Sequence, residues 1–496
     1  MWRRSSSWPP DWRSIEGWRC PERVIAGKQV FLFTVEVPGT LQFTSLFNMR
    51  GAISKMDARI SRRQVLKGMA GTAFAMVLPS RLFGANAPSK RINVALIGLG
   101  RQARYANLKP FLQSEHTVVT ALCDVDGWRL AQAKEDVDKH YGNSDCKTYR
   151  DWREVIARKE VDAIMNSTPD HWHVPISLAA VKAGKHVSCE KPLTLSVAEG
   201  RMLADAVKER GVVFRTDTEC RSNVRMHQAA ELVLNGFIGK LKHAKVGVPT
   251  GDVAGGQANP MPVPEGLDYG MWLGPAPEKP YTLDRVHPRQ GYGRPGWMRC
   301  RDYCEGMITN WGTHVLDVFQ LAHQSERTGP VEVEGTGEYP AKGSGLWNVL
   351  LNFKARFRYA DGVTVDYGTD DAAYVRFEGE EGWIQATWTS GGNLKEGLTA
   401  SSEKLLLAKP KDGGIRLPQR ADKEDFIYAI RTGQPVMIDA EVGHRTCSLG
   451  QIAHIAIQTG RRLAWDPGKE RFADDERANA LLERPIRGNW MKSATA

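Results

Sequence analysis

INVALIGLGRQA, residues 92–103, decides how this chain is read. A continuous apolar run ends in Gly98-Leu99-Gly100, and a small residue, Ala103, follows three positions on. Unbroken apolarity over a short run fits a strand buried on both faces, the situation in a parallel sheet covered by helices on either side. The glycines then open a tight turn into a helix, where bare backbone can approach a pyrophosphate laid on the helix amino terminus. On that reading Gly98 permits the turn and Gly100 the close approach. Arg101 and Gln102 flank the phosphates, and Ala103 lets helix and strand pack.

Three further runs repeat the pattern: TVVTALCDVD at 117–126, VDAIMNSTP at 161–169 and GKHVSCEK at 184–191, with helical segments at 128–141 and 174–183 between them. A helix at 197–210 and a strand at 211–214 continue the alternation, so a doubly wound parallel sheet is expected. Asp124 closes the second run 24 residues after Gly100. A carboxylate there accepts hydrogen bonds from ribose hydroxyls and repels an added phosphate, which favours NAD; nearby Arg129 leaves NADP open. TPDHWH, residues 168–173, follows the third run at the carboxyl edge where such sheets bind ligands, and Thr168, Pro169 and His173 are expected to shape a nicotinamide pocket. Its two histidines lack further ligands, and the C-x3-C pair Cys300 and Cys304 lacks a partner pair, so no metal is expected. Those cysteines read as an incidental disulfide or two free thiols. The fourth run ends in Glu190-Lys191-Pro192, which puts Glu190 beside the cofactor and Lys191 within reach of a substrate hydroxyl.

After about residue 217 the texture changes. A helix is predicted at 226–235, a Gly/Pro-rich functional or interface loop at 248–295, antiparallel strands at 349–358, 363–367 and 383–388, and helices at 423–431 and 444–459. NWGTHVLDVF, residues 310–319, taken as one helix, sets Asn310, His314 and Asp317 on a polar face. His314, with an ordinary pKa of about 6.5, is then the candidate general base, and Lys191 would hold or polarise the reacting oxygen.

With 496 residues there is room for two or three domains, and the formal charge of +10 raises the question of a polyanionic partner. Residues 1–91 carry 15 Lys+Arg against 5 Asp+Glu, which is the whole excess; the remaining 52 basic and 52 acidic residues cancel. Nucleic-acid binding is therefore not expected. The basic leader contains SRRQVLK at 61–67, an uncharged run at 68–78 and Ala85-Asn86-Ala87, the order of a twin-arginine export signal. The expectation is a signal at 56–87 beginning at Met56, a non-native or disordered extension at 1–55, and a periplasmic or otherwise exported product. The apolar run falls short of the about 20 residues of a spanning helix, so no membrane insertion is expected after signal removal.

Taken together, IGLGRQA, the aspartate of CDVD, TPDHWH, AGKHVSCEKPL and NWGTHVLD resemble, in order and spacing, the glucose-fructose oxidoreductase, inositol dehydrogenase and MocA (Gfo/Idh/MocA) family. The likeness runs from about residue 91 to 490, through PVPEGLDYGMWLGPAP and FEGEEGWI, and is similar to an exported branch of dehydrogenases. It implies an α/β chain with an NAD(P)-binding Rossmann domain at 88–216. A second α/β domain at 217–496 would carry an open, mostly antiparallel sheet that binds substrate and often makes homo-oligomers. It also implies Lys191 as catalytic lysine, His314 as acid/base histidine, and hydride transfer at a sugar, sugar acid or cyclitol carbon. One departure is Asn310, where the family usually has an aspartate four residues before the histidine. Asparagine can orient an imidazole but cannot stabilise its charge, and Asp317, one turn along, is the candidate to compensate. Two other readings stand beside the oxidoreductase: a redox-neutral NAD-dependent glycosidase, and a non-catalytic sugar- or nucleotide-binding protein.

Overall fold

The computed structural model describes residues 91–389 and 397–493; the leader with its expected export signal lies outside the described residues. The first sheet contains β1 (Ile92–Ile97), β2 (Thr117–Cys123), β3 (Lys147–Tyr149), β4 (Ala163–Asn166), β5 (His186–Glu190) and β6 (Phe214–Asp217). Their order is β3-β2-β1-β4-β5-β6 and every neighbouring pair is parallel. β1 and β4 are buried almost throughout, as expected for strands with helices on both faces. The chain reverses its winding between β1 and β4, and a crevice opens beyond the carboxyl ends of strands at such a switch point.

The strand expected at 211–214 is shifted to Phe214–Asp217. Gly211 adopts a left-handed φ of 64° and closes the helix Val197–Arg210, so the last strand cannot begin there.

The second sheet contains β7 (Leu241–Pro249), β8 (Glu332–Glu338), β9 (Asn352–Arg358), β10 (Thr364–Asp370), β11 (Tyr374–Gly379), β12 (Trp383–Thr387), β13 (Leu398–Ala400), β14 (Leu463–Asp466) and β15 (Arg471–Phe472). Its order is β13-β12-β11-β7-β10-β9-β8-β14-β15, antiparallel except for the parallel pair β7 and β10. β9 alternates: Phe353, Ala355 and Phe357 point to the core, while Asn352, Lys354, Arg356 and Arg358 face out. The inner face is covered by the helices Val224–Leu234, Gly312–His323 and Ala440–Thr459. Each buried aromatic such as Phe357 contributes about 1.5–3 kcal/mol through the area it removes from water.

The chain returns to the first sheet near its end. The helix Asp422–Thr432 packs on β5 and β6, and its Asp422 and Asp425 hold the fully buried Arg215 at 2.8 and 3.1 Å, while Lys423 pairs with Asp217. The Gly/Pro-rich stretch also reaches back: Gly127 N donates to Gly266 O and Asp268 N to Val125 O. A small core joins its Trp272 and Tyr281 to Tyr303 just beyond it. All seven cysteines among the described residues, Cys300 and Cys304 included, are free thiols. No helix among the described residues is long and apolar enough to cross a membrane.

Candidate active site

A cavity of about 530 Å³ runs from the glycine turn past β4 and β5 to the helix Gly312–His323. At the turn, Gly98 has φ of 84°, and a Cβ there would lie 2.7 Å from Ser167 C and Thr168 N. Gly98 is thus required by the packing of β1 against the loop after β4. Gly100 differs: a Cβ would meet nothing within 4 Å, and the residue lines the cavity. The open cradle and the helical turn that follows it fit a pyrophosphate.

Asp124 sits beside the turn. One carboxylate oxygen accepts from Leu99 N at 2.6 Å and the other from Asp126 N at 2.7 Å. Each oxygen keeps a second lone pair for a ribose hydroxyl. Burial pushes this carboxyl up, against the two amide hydrogen bonds that hold it down. Arg101 and Gln102 line the cavity, and Gln102 donates to Glu219 at 3.5 Å.

Arg129 is not free to select a 2′-phosphate. Its guanidinium pairs with Asp126 at 2.9 Å and donates to the carbonyls of Pro288 and Gly291 at 3.1 and 2.7 Å. It ties the Gly/Pro-rich segment to the helix after β2 instead. Asp126 also takes a 2.9 Å contact from His287. Burial alone would raise its carboxyl, but His287 and Arg129 bring it down to about 2.

After β4, Thr168 and Pro169 line the cavity, and His173 is held between the carbonyls of Thr168 at 2.9 Å and Pro192 at 2.8 Å. That ring packs the loop against the turn after β5, and in its neutral form it donates to one of the two carbonyls only. Burial pushes it down to about 4, so it is neutral. Glu190 is buried and accepts from Asn107 Nδ2 at 2.9 Å. Burial raises its carboxyl, while Lys423 opposes the rise and Asp217 adds to it.

Lys191, followed by a cis bond to Pro192, points its amine at Asn310, 3.4 Å from both the backbone and the side-chain oxygen. The expectation that Asn310 orients His314 is corrected: its side-chain oxygen faces the lysine. Trp311 separates the helices Met307–Asn310 and Gly312–His323, so residues 310–319 are not one continuous helix. His314 lines the cavity, its Nδ1 is buried without a partner, and the Trp311 ring stands 5.3 Å away. Burial and the Lys191 charge push its imidazole well below the ordinary range, contrary to the expected unperturbed value. Asp317 is also corrected. It is fully buried, bound at both oxygens by Arg221 at 2.6 Å, and is not among the cavity residues. It cannot serve as the missing carboxylate.

Several cavity residues escaped the sequence reading. Asp170 stood in the quoted TPDHWH, and Trp311 in NWGTHVLD, with nothing to distinguish them. Trp297, Trp388, Tyr292 and Arg294 come from the second half of the chain, and only the fold brings them to the glycine turn.

Family models for "Oxidoreductase family, NAD-binding Rossmann fold" and "Oxidoreductase family, C-terminal alpha/beta domain" match residues 92–218 and 228–492. The chain belongs to the Gfo/Idh/MocA oxidoreductase family. Its first domain is the family's NAD-binding Rossmann domain, and members include dehydrogenases of sugars and cyclitols. A glycosyl hydrolase family 109 protein of Stenotrophomonas maltophilia is 26% identical over 222 residues, 44% of this chain and 48% of the relative. The myo-inositol 2-dehydrogenase of Thermotoga maritima is 32% identical over 151 residues, 30% of this chain and 42% of the relative. The chain thus spans less than half the length of these curated relatives. Among solved structures, the WlbA dehydrogenase of Bordetella pertussis, in complex with NADH and UDP-GlcNAcA, shares the fold with a TM-score of 0.56 at 15% identity, over 76% of this chain and 99% of that one.

Proposed function

We propose that this family member is an NAD(P)-dependent oxidoreductase acting on a CH–OH carbon of a sugar, sugar acid or cyclitol, with NAD as the cofactor it holds. The observation that carries the reading is the convergence of Gly100, Asp124, Lys191 and His314 on one cavity, although they are far apart in sequence. Gly98, Gly100 and Asp124 would hold the dinucleotide, with Arg101, Gln102, Thr168, Pro169, His173 and Glu190 around it. A nicotinamide bound there supplies a hydride acceptor.

The residues of the chain do the rest. Lys191 holds the substrate oxygen, kept in place by Asn310. His314 is neutral, so a ring nitrogen can accept the hydroxyl hydrogen bond. Trp297, Trp311 and Trp388 give the cavity apolar faces on which the C–H side of a sugar ring can pack.

Redox-neutral glycoside cleavage is a second reading, favoured by the likeness to the family 109 hydrolases. There the hydride returns to the sugar, and NADH does not accumulate. The nicotinamide released on denaturing purified protein that begins near residue 88 tests both. Near-stoichiometric NAD or NADH, followed by sugar-dependent absorbance change or by glycoside cleavage without one, distinguishes the two. A site that is empty and takes up neither NAD nor NADH overturns both and favours a binding protein without turnover.

We propose further that the signal at 56–87 sends the folded protein through the twin-arginine pathway, followed by domains at 88–216 and 217–496. We propose also that two or more copies associate through the second sheet. Periplasmic fractionation and light scattering test these statements.

A further inference from the structure

Oxidising a carbinol releases a proton as well as a hydride, and the groups described so far hold that proton badly. Asn310 cannot take one, and His314 is pushed well down by burial and by the charge of Lys191. Among the ionisable groups of the cavity that this reading leaves unused, Glu219 included, Asp170 is set apart by its geometry. Asp170 opens the turn Asp170–Trp172 after β4, is 4% exposed, and lines the cavity. Its Oδ2 is buried with no hydrogen-bond partner among the described residues. A buried polar atom left without a partner calls for an explanation, because its desolvation is uncompensated.

The surroundings of Asp170 say which state it takes. Burial raises its carboxyl well above the ordinary range; Lys191 draws it down, while Glu190 and Glu305 push it further up. Glu305 itself stays ionised, pairing with His454 and Arg484. His171 and His173 in the same loop are neutral, pushed down by burial to about 3 and about 4. The nearby thiols of Cys189, Cys304 and Cys447 are raised by burial and stay protonated. Lys191 is therefore the cation that acts on Asp170, and it is also the charge that acts on His314.

Resting on the oxidoreductase reading, we propose that Asp170 is the proton-holding residue of this cavity, ionised beside the oxidised nicotinamide and protonated beside the reduced one. The step balances. The carbinol C–H bond breaks with its electron pair going to the nicotinamide ring, and the O–H bond breaks as C=O forms. The hydroxyl proton ends on the Asp170 carboxylate, whose Oδ2 is open to take it, while Lys191 stays charged throughout and holds the oxygen. The ring loses its positive charge as Asp170 loses its negative one, so the buried cavity never carries an extra net charge. Reduction of a ketone runs the same transfers backwards.

The test is the proton count on nucleotide binding, read by calorimetry in two buffers of different ionisation enthalpy at about pH 7. Binding of NAD+ should release close to one proton more than binding of NADH. Asp170→Asn should bind both nucleotides without that difference, whereas Glu219→Gln should retain it. Should Asp170→Asn fail to fold, the wild-type protein still decides the matter. The ratio of its NADH to NAD+ dissociation constants should rise by up to about tenfold per pH unit wherever Asp170 titrates. Binding of both nucleotides with no proton difference and a pH-independent ratio overturns the proposal and leaves the oxidoreductase reading standing. A difference that persists in Asp170→Asn does the same. Failure of the wild-type protein to bind either nucleotide removes the oxidoreductase reading and this inference with it.

Discussion

Gly98 and Gly100 stand two residues apart in one motif, yet the structure gives them separate jobs, and replacing each by alanine should separate them. At Gly98 the left-handed φ of 84° costs an L-residue about 1–2 kcal/mol. The added Cβ would sit 2.7–2.8 Å from three backbone atoms of Ser167 and Thr168, which no side-chain rotation can relieve. Overpacking of that kind adds about 1–3 kcal/mol. Gly98→Ala should therefore lose about 3 kcal/mol of stability, a fall in melting temperature of about 6–12 °C for a domain of this size. Gly100→Ala meets nothing within 4 Å, so the stability without nucleotide should hold to within about 0.5 kcal/mol. The same methyl stands where the pyrophosphate would approach, and NAD affinity should fall at least about tenfold, or 1.4 kcal/mol. Thermal melts with and without NAD, together with titration of NADH fluorescence, read both effects. If Gly98→Ala melts with the wild type, or Gly100→Ala binds NAD with undiminished affinity, the division of labour argued for this turn is wrong.

Lys191→Ala should lower turnover by about 10²–10⁴ while leaving the melting temperature in place, because among the described residues the amine makes two long hydrogen bonds, both to Asn310. Asp317→Asn should cost about 1–3 kcal/mol in a denaturant titration, since the buried Arg221 guanidinium loses the charge of one partner and keeps that of Glu326 at 2.7 Å. Its folded fraction should keep the wild-type pH-rate profile; a shifted profile would restore Asp317 to the chemistry. His173 is pushed down to about 4 by burial, against an unfolded value of about 6.5, so the unfolded chain binds the extra proton between these values. The stability it contributes is complete above about pH 6.5 and is lost as pH falls through about 4. His173→Gln should show a smaller loss of denaturant midpoint over that interval than the wild type does, and an equal loss would mean another group carries the acid sensitivity.

The parallel sheet was legible because its information is local. INVALI is apolar throughout since β1 is buried on both faces, and Gly98-Leu99-Gly100 is written by a turn that admits no side chain at one position and a ligand at the other. The second sheet was legible only where its faces differ. β9 alternates and was found, whereas β8, EVEGTGE, buries little beyond Val333 and takes its place from pairing with β9 and β14. The site was half legible for a related reason. Helical spacing puts Asn310, His314 and Asp317 near one another but does not say what stands opposite. Arg221, 96 residues from Asp317, takes that carboxylate out of the chemistry, and Lys191 claims the Asn310 oxygen. Arg129 was judged by its distance from Asp124 along the chain, while carbonyls more than 150 residues away decide its role. Asp170 marks the limit of such reading. The histidines beside it drew attention as possible ligands, and both prove to be neutral and packed. What distinguishes the aspartate is a buried oxygen with no partner in a cavity containing a lysine. An unmet hydrogen bond is a relation among elements, so it becomes visible only when β4, β5 and the helix Gly312–His323 are assembled around it.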